Sequence, residues 1–308
     1  MSCRSRQGNA GFTLIEAVMV IVITGILFGI VAVFITKPVE GYVDSVRRAE
    51  LTDNADVALR RMTRDIRLAL PNSLRLKDSV NATVVSCAAG TECYVEFIMT
   101  KSGGRYRDPA DGSTGGNFLD FSGTLNNPSC PAVPPPASLC FDILGSSPAS
   151  PPNIDDGDSI VVYNLGPGYT PADAYVAVGN RTTVTRTSGT PYFATMASNV
   201  FALQSPPLPS PDARFQVVGQ NDKVVRYGCV GGALRRQDGC DFTTTTTCAT
   251  TAVLAGSASA EPKATCELDY QASATGRNGL LYVRLILTDT PSGESVSLFQ
   301  QIHVDNAP

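Results

Sequence analysis

The sequence predicts an α+β protein, in which a long N-terminal helix packs on an antiparallel β-sheet that carries β-rich loop insertions. Three observations carry this prediction. Residues 12–35 form one apolar run broken by a single charge, Glu16. An amphipathic stretch follows and ends at Pro71-Asn72. Beyond residue 73 the pattern turns to short alternating segments separated by Pro, Gly, Ser and Thr.

The apolar run, FTLIEAVMVIVITGILFGIVAVFI, is long enough to cross a bilayer as a helix. Before it lie residues 1–11, MSCRSRQGNAG, which are short, polar and basic through Arg4 and Arg6. One reading is an uncleaved signal anchor, with the two arginines holding the N-terminus in the cytoplasm. A secretory signal peptide fits less well. Its apolar region should be shorter and end at a small-residue cleavage site, whereas Thr36, Lys37 and Pro38 follow here. Glu16 is the informative residue. A carboxylate carried to the bilayer centre costs roughly 2.5–3.5 kcal/mol, so it calls for a partner. The apolar run holds no basic group. A free α-amino group on Phe12, made by cleavage after Gly11 and supplied by a neighbouring subunit, is a candidate partner. Gly11 is flexible and lacks a side chain, which suits a scissile bond at the cytoplasmic face just before the helix.

The run Gly11-Phe12-Thr13-Leu14-Ile15-Glu16, placed between a basic leader and an apolar helix, resembles the class III signal of type IV pilins and type II secretion pseudopilins. The resemblance implies cleavage by a prepilin peptidase between Gly11 and Phe12, N-methylation of Phe12, and an assembly role for Glu16. In that family the glutamate pairs with the amine of an adjacent subunit. The implied fold is pilin-like, with the apolar half of the helix in the membrane and the amphipathic half on the sheet. The implied partners are other pilin subunits through the N-terminal helix, the prepilin peptidase, the inner-membrane assembly platform, and membrane lipid before assembly. The implied location is the inner membrane, single-pass, with the C-terminal domain in the periplasm, and later a pilus or pseudopilus.

Further stretches are similar to minor pilins of MSHA (mannose-sensitive haemagglutinin) pilus biogenesis. These are Lys37-Pro38-Val39-Glu40-Gly41-Tyr42, Arg47-Arg48-Ala49-Glu50-Leu51, Leu59-Arg60-Arg61-Met62 and residues 64–73. Gly293-Glu294-Ser295-Val296 and His303-Val304-Asp305-Asn306 complete the similarity at the C-terminal end, while the long middle is loosely matched. This implies a low-abundance, non-enzymatic minor pilin. A minor pseudopilin of a type II secretion system shares the same plan. A filament-tip adhesin is a third reading, suggested by the size and loops of the globular part.

The expected organisation is a leader at 1–11, a transmembrane and assembly helix at 12–36, an amphipathic helix at 37–72, and a periplasmic β-rich domain at 73–308. In the amphipathic part Val39, Tyr42, Val43, Val46 and Ala49 recur at helical spacing, and Leu59, Met62, Ile66 and Leu70 resume it. Pro38 and Gly41 are expected to kink or locally melt the helix. Arg60, Arg61, Arg64 and Arg67 form a basic strip diluted by nearby acids, read as a solvated or subunit-facing surface. Strands are expected at 82–86, 94–99, 118–121, 159–164, 175–178, 214–218, 223–229, 280–288 and 295–304. Pro291-Ser292-Gly293 should turn the last two into a hairpin, and Asn221-Asp222 should turn 214–218 against 223–227. Pro-rich stretches at 132–136, 147–152 and 205–211 bracket a possible second β lobe at about 147–211.

Nine cysteines is a high number for a cytosolic chain. Cys3 lies upstream of the proposed cleavage site, and the other eight fall in the globular part. An even number there reads as a disulfide framework in an oxidising compartment. A metal site competes, but no Cys-x-x-Cys exists and His303 is the single histidine. Eight cysteines allow on the order of a hundred pairings. Short gaps make Cys87–Cys93, Cys130–Cys140, Cys229–Cys240 and Cys248–Cys266 the simplest set.

Formal net charge is −4, and removing Arg4 and Arg6 leaves 22 basic against 28 acidic residues, or −6. With no long basic run, no nucleic-acid partner is expected. No nucleophile elbow, P-loop or dinucleotide fingerprint occurs, so no enzyme activity and no cofactor is expected. His303 reads as a satisfied structural histidine. Asp155, Asp156 and Asp158 could offer oxygens to calcium, but without the full EF-hand spacing an ordinary acidic turn is the plainer reading.

Overall fold

The computed structural model describes residues 11–112, 115–125, 139–145, 153–176, 179–187, 193–272 and 278–308. The chain divides into two compact units, Met1–Glu50 and Leu51–Pro308, and one helix, α1 (Leu14–Ile66), runs through both. The architecture is α+β: a long N-terminal apolar helix followed by antiparallel sheets.

In the first unit α1 stays helical through Pro38 and Gly41, so the predicted local melting does not occur. Proline removes one hydrogen bond and crowds one carbonyl, while the turns on either side keep theirs. The stripe from Val39 to Val46 is exposed here.

In the second unit the helix buries Leu51, Ala55, Ala58, Leu59, Met62 and Ile66, a three-and-four spacing that aims one stripe at the core. It ends at Ile66, earlier than Pro71-Asn72 suggests, because strand ends capture the last groups. The Leu68 carbonyl accepts from the Thr100 N–H at 2.8 Å and its hydroxyl at 2.7 Å. The Leu70 N–H donates to the Ile98 carbonyl at 2.7 Å.

Two sheets enclose that stripe. The first has six strands: β1 (Arg75–Asp78), β2 (Thr83–Val84), β4 (Cys93–Ile98), β11 (Val224–Val230), β12 (Ala233–Cys240) and β13 (Thr250–Gly256), in the order β13-β12-β11-β4-β1-β2. The second has the order β16-β15-β14-β3, with β3 (Ser86–Cys87), β14 (Lys263–Ala272), β15 (Asn278–Asp289) and β16 (Glu294–Asp305). β15 and β16 form the predicted C-terminal hairpin, in register from Asn278↔Asp305 to Asp289↔Glu294. Leu76, Val95, Phe97 and Tyr227 of the first sheet join the helix stripe in one core with Leu281, Val283, Leu285 and Ile302 of the second.

The remaining strands close a barrel, β10-β5-β6-β9-β8-β7. They are β5 (Ser102–Tyr106), β6 (Cys140–Leu144), β7 (Ser159–Val161), β8 (Arg181–Thr187), β9 (Phe193–Met196) and β10 (Arg214–Val218). The barrel has its own core of Tyr106, Phe141, Ile160, Val184, Met196 and Phe215. It therefore draws strands from both sides of the 147–211 segment. It is inserted between β4 and β11, which pair with each other, and its first and last strands, β5 and β10, also pair. The ladder continues between them through Met99 N–H to Lys223 O at 3.1 Å and Lys101 N–H to Val217 O at 2.7 Å. This arrangement corrects the predicted hairpin at Asn221-Asp222. Residues 214–218 pair with β5 and β7, while β11 pairs with β4 and β12.

Two other predicted strands are turns. At 118–121 the Asp120 carboxylate accepts from the N–H groups of Ser122, Gly123 and Leu125, which curls the chain. At 175–176 Asp173 accepts from the Tyr175 N–H, and the Tyr175 hydroxyl donates to the Ser73 carbonyl at 2.8 Å; residues 177–178 lie outside the described residues.

The disulfides also depart from the short-gap set. Cys87–Cys93 is present. Cys229 bonds to Cys266 and Cys240 to Cys248, in place of the predicted Cys229–Cys240 and Cys248–Cys266. Strand register is the reason. In the β11–β12 ladder Cys229 faces Leu234 and Cys240 faces Val224, so those two cysteines sit at opposite ends. Cys140 is disulfide-bonded, and its predicted partner Cys130 lies outside the described residues.

Candidate functional site

The N-terminal segment supplies the first candidate site. The helix begins as the Thr13 carbonyl accepts from the N–H groups of Glu16 at 3.1 Å and Ala17 at 3.2 Å. Glu16 thus lies in the first turn, where a negative charge meets the positive end of the helix dipole. Phe12, Leu14, Ile15 and the apolar side chains through Ile35 are exposed on every side of the helix. Such a surface is long and apolar enough to cross a membrane.

Two hydroxyls of this stretch are satisfied within the helix. The Thr24 hydroxyl donates to the Val20 carbonyl at 2.6 Å, and the Thr36 hydroxyl to Val33 at 3.4 Å. Glu16 is different. Among the described residues it meets no cation, and the next ionisable side chain along the helix is Lys37. A lone carboxylate on an otherwise apolar helix is the feature that demands an outside partner.

Three other sequence candidates resolve differently. In the acidic turn the Lys101 ammonium lies 2.5 Å from Asp155 Oδ2 and 2.9 Å from Asp158 Oδ2. Asp158, almost fully buried, also accepts from the Asp155 and Gln220 N–H groups. Burial alone would lower the Lys101 amine, but its two carboxylate hydrogen bonds hold it above the usual lysine range. A cation of the protein's own thus occupies the calcium candidate, and no described trio of His, Cys, Asp or Glu is arranged for a metal. His303 projects from the solvent face of β16 with no hydrogen bond among the described residues, so it is not a satisfied structural histidine. The acids diluting the basic strip are fewer than expected. Arg60 pairs with Asp56 at 2.7 Å. Asp65, however, turns inward, where its Oδ2 accepts from the Tyr227 hydroxyl at 2.7 Å and Arg236 Nε at 2.8 Å. Sequence reasoning missed this pair. The available signal was Asp65's place beside Met62 and Ile66 on the apolar stripe, where a charge requires a buried partner.

A family model described as the prokaryotic N-terminal methylation motif matches residues 6–32. That match supports a type IV pilin-like prepilin, a structural subunit processed by a prepilin peptidase and assembled with other pilins. Together with the single apolar helix it fits a single-pass inner-membrane anchor. Neither the curated proteins nor the solved structures give a match.

Proposed function

We propose that this chain is a minor pilin of an MSHA-like type IV pilus, comparable to the MSHA pilus biogenesis protein O, acting in initiation or at the filament tip. The observation that carries the reading is the Gly11-to-Glu16 signal at the head of the exposed apolar part of α1. Cleavage after Gly11 frees the Phe12 amine, which is then methylated. The prepilin waits in the inner membrane with its β-rich domain in the periplasm, and Glu16 then pairs with the amine of a neighbour as the assembly platform adds the subunit. The choice of an MSHA-like pilus over a type II secretion pseudopilus rests on the helix and C-terminal segments similar to MSHA minor pilins.

Glu16→Ala tests the mechanism. The variant should remain in the membrane fraction and vanish from sheared filaments. Normal incorporation would sink the assembly role. Co-purification with secretion pseudopilins, not pilus subunits, would move the chain to the secretion system.

A further inference from the structure

We propose that the outer edge of β16, with the arginine-lined groove beside it, is a docking site for an extended, carboxylate-bearing segment of a different chain. Both elements lie within Leu51–Pro308, so the proposal stands whether or not the N-terminus is processed.

The first observation is the edge. β16 is the terminal strand of its sheet, and among the described residues nothing pairs with its outer side. Its ladder to β15 runs twelve pairs without a register shift. Natural edge strands are blunted by lysine, proline, bulges or shortness. β16 has none of these guards: residues 295–304, SVSLFQQIHV, carry no fixed charge and no proline. Its solvent face also shows Phe299, 58% exposed. A long, regular, uncharged edge is a template for a further strand.

The second observation is independent of the first. A groove of about 410 Å³ is lined by Arg60, Thr63, Arg64, Arg67 and Leu68 from the helix side and by Gln300 from β16. No β15 residue lines it, so it opens on the outer side of β16. Arg64 and Arg67 are exposed and meet no carboxylate among the described residues, since Asp65 is committed to Arg236 and Tyr227. A strand added to β16 lies about 4.8 Å from it, with alternate side chains on opposite faces. One face of that strand therefore falls over the groove, where carboxylates at alternate positions meet the arginines.

Charge also argues against a second copy as the occupant. Antiparallel pairing of two β16 strands over their full length sets Glu294 of one against Asp305 of the other at both ends, and like charges directly opposite are destabilising.

The test uses the full chain in detergent micelles and a fluorescent synthetic peptide of alternating valine and glutamate, as long as β16. Anisotropy should show salt-sensitive binding, and a valine–lysine peptide should not bind. Two N-methylated versions of the acidic peptide block donors along one edge or the other. One should lose binding and the other keep it, which is the signature of strand addition. Arg64→Glu with Arg67→Glu, both on exposed positions, should weaken the acidic peptide about tenfold or more while the circular dichroism spectrum is unchanged. The proposal is overturned if the acidic peptide does not bind or if both N-methylated forms bind alike. It is equally overturned if the chain pairs with itself through β16 and excludes the peptide.

Discussion

Cys229→Ala combined with Cys266→Ala removes the bond that ties β11 of the first sheet to β14 of the second, across the core that holds the helix stripe. The stabilisation follows from the loop that the bond closes in the unfolded chain. A sequence separation of 37 gives about 3.8 kcal/mol from chain entropy near room temperature. The Cys240–Cys248 bond, with a separation of 8, gives about 2.5 kcal/mol by the same relation. For a unit of this size each kcal/mol moves the melting temperature by about 2–4 °C, so the first pair should cost roughly 8–15 °C. The assay is thermal unfolding of the two double variants beside the parent, read by circular dichroism. A non-reducing tryptic digest checks the linkage itself. The bond joins peptide 227–235 to peptide 264–277, whereas Cys240 and Cys248 fall within the single peptide 237–263. A digest linking 227–235 to 237–263, or a larger loss from the Cys240 and Cys248 pair, would refute the reasoning.

Asp65→Ala should destabilise by about 2–3 kcal/mol, because it strips the buried Tyr227 hydroxyl and Arg236 Nε of their shared acceptor and leaves Arg236 only its ion pair with Asp238; chemical denaturation measures this. Alkaline pH should unfold the domain. Burial, first of all, raises the phenols of Tyr106, Tyr175 and Tyr227 above their ordinary 10.0, and Tyr227 is raised further by its hydrogen bond to Asp65. A folded-state value above the unfolded one means that this stability is complete below pH 10.0 and falls as pH rises beyond it. Each such phenol contributes a slope of about 1.4 kcal/mol per pH unit. Melting temperature against pH, with tyrosinate absorbance appearing only on unfolding, checks this; early tyrosinate absorbance in the folded protein would contradict it. Gly11→Val should block processing, so that the protein migrates at the precursor size in denaturing gels.

The helix and the last hairpin were legible because their periods are long. Leu59, Met62 and Ile66 keep the helical spacing, and residues 280–304 alternate on both arms of a turn. The barrel was not legible. Its first strand, β5, reads Ser-Gly-Gly-Arg-Tyr, with no alternation of apolar residues. Gly104 is there because the Phe215 ring of β10 lies against it, and a Cβ would sit 2.7 Å from that ring. Such a requirement comes from a partner strand more than a hundred residues away. Disulfide pairing failed for a related reason, since short gaps in sequence say nothing of register between β11 and β12. The Gly11–Glu16 signal was readable because it acts as a linear segment. The groove beside β16 was not, because it needs Gln300 brought next to Arg64 and Arg67.

The central claim concerns the head of the chain, and mass spectrometry of this subunit in purified filaments tests it most directly. The account predicts an N-terminus that begins at Phe12 and carries a methyl group on its amine. A filament-borne subunit that keeps residues 1–11, or filaments that lack the subunit altogether, would contradict it.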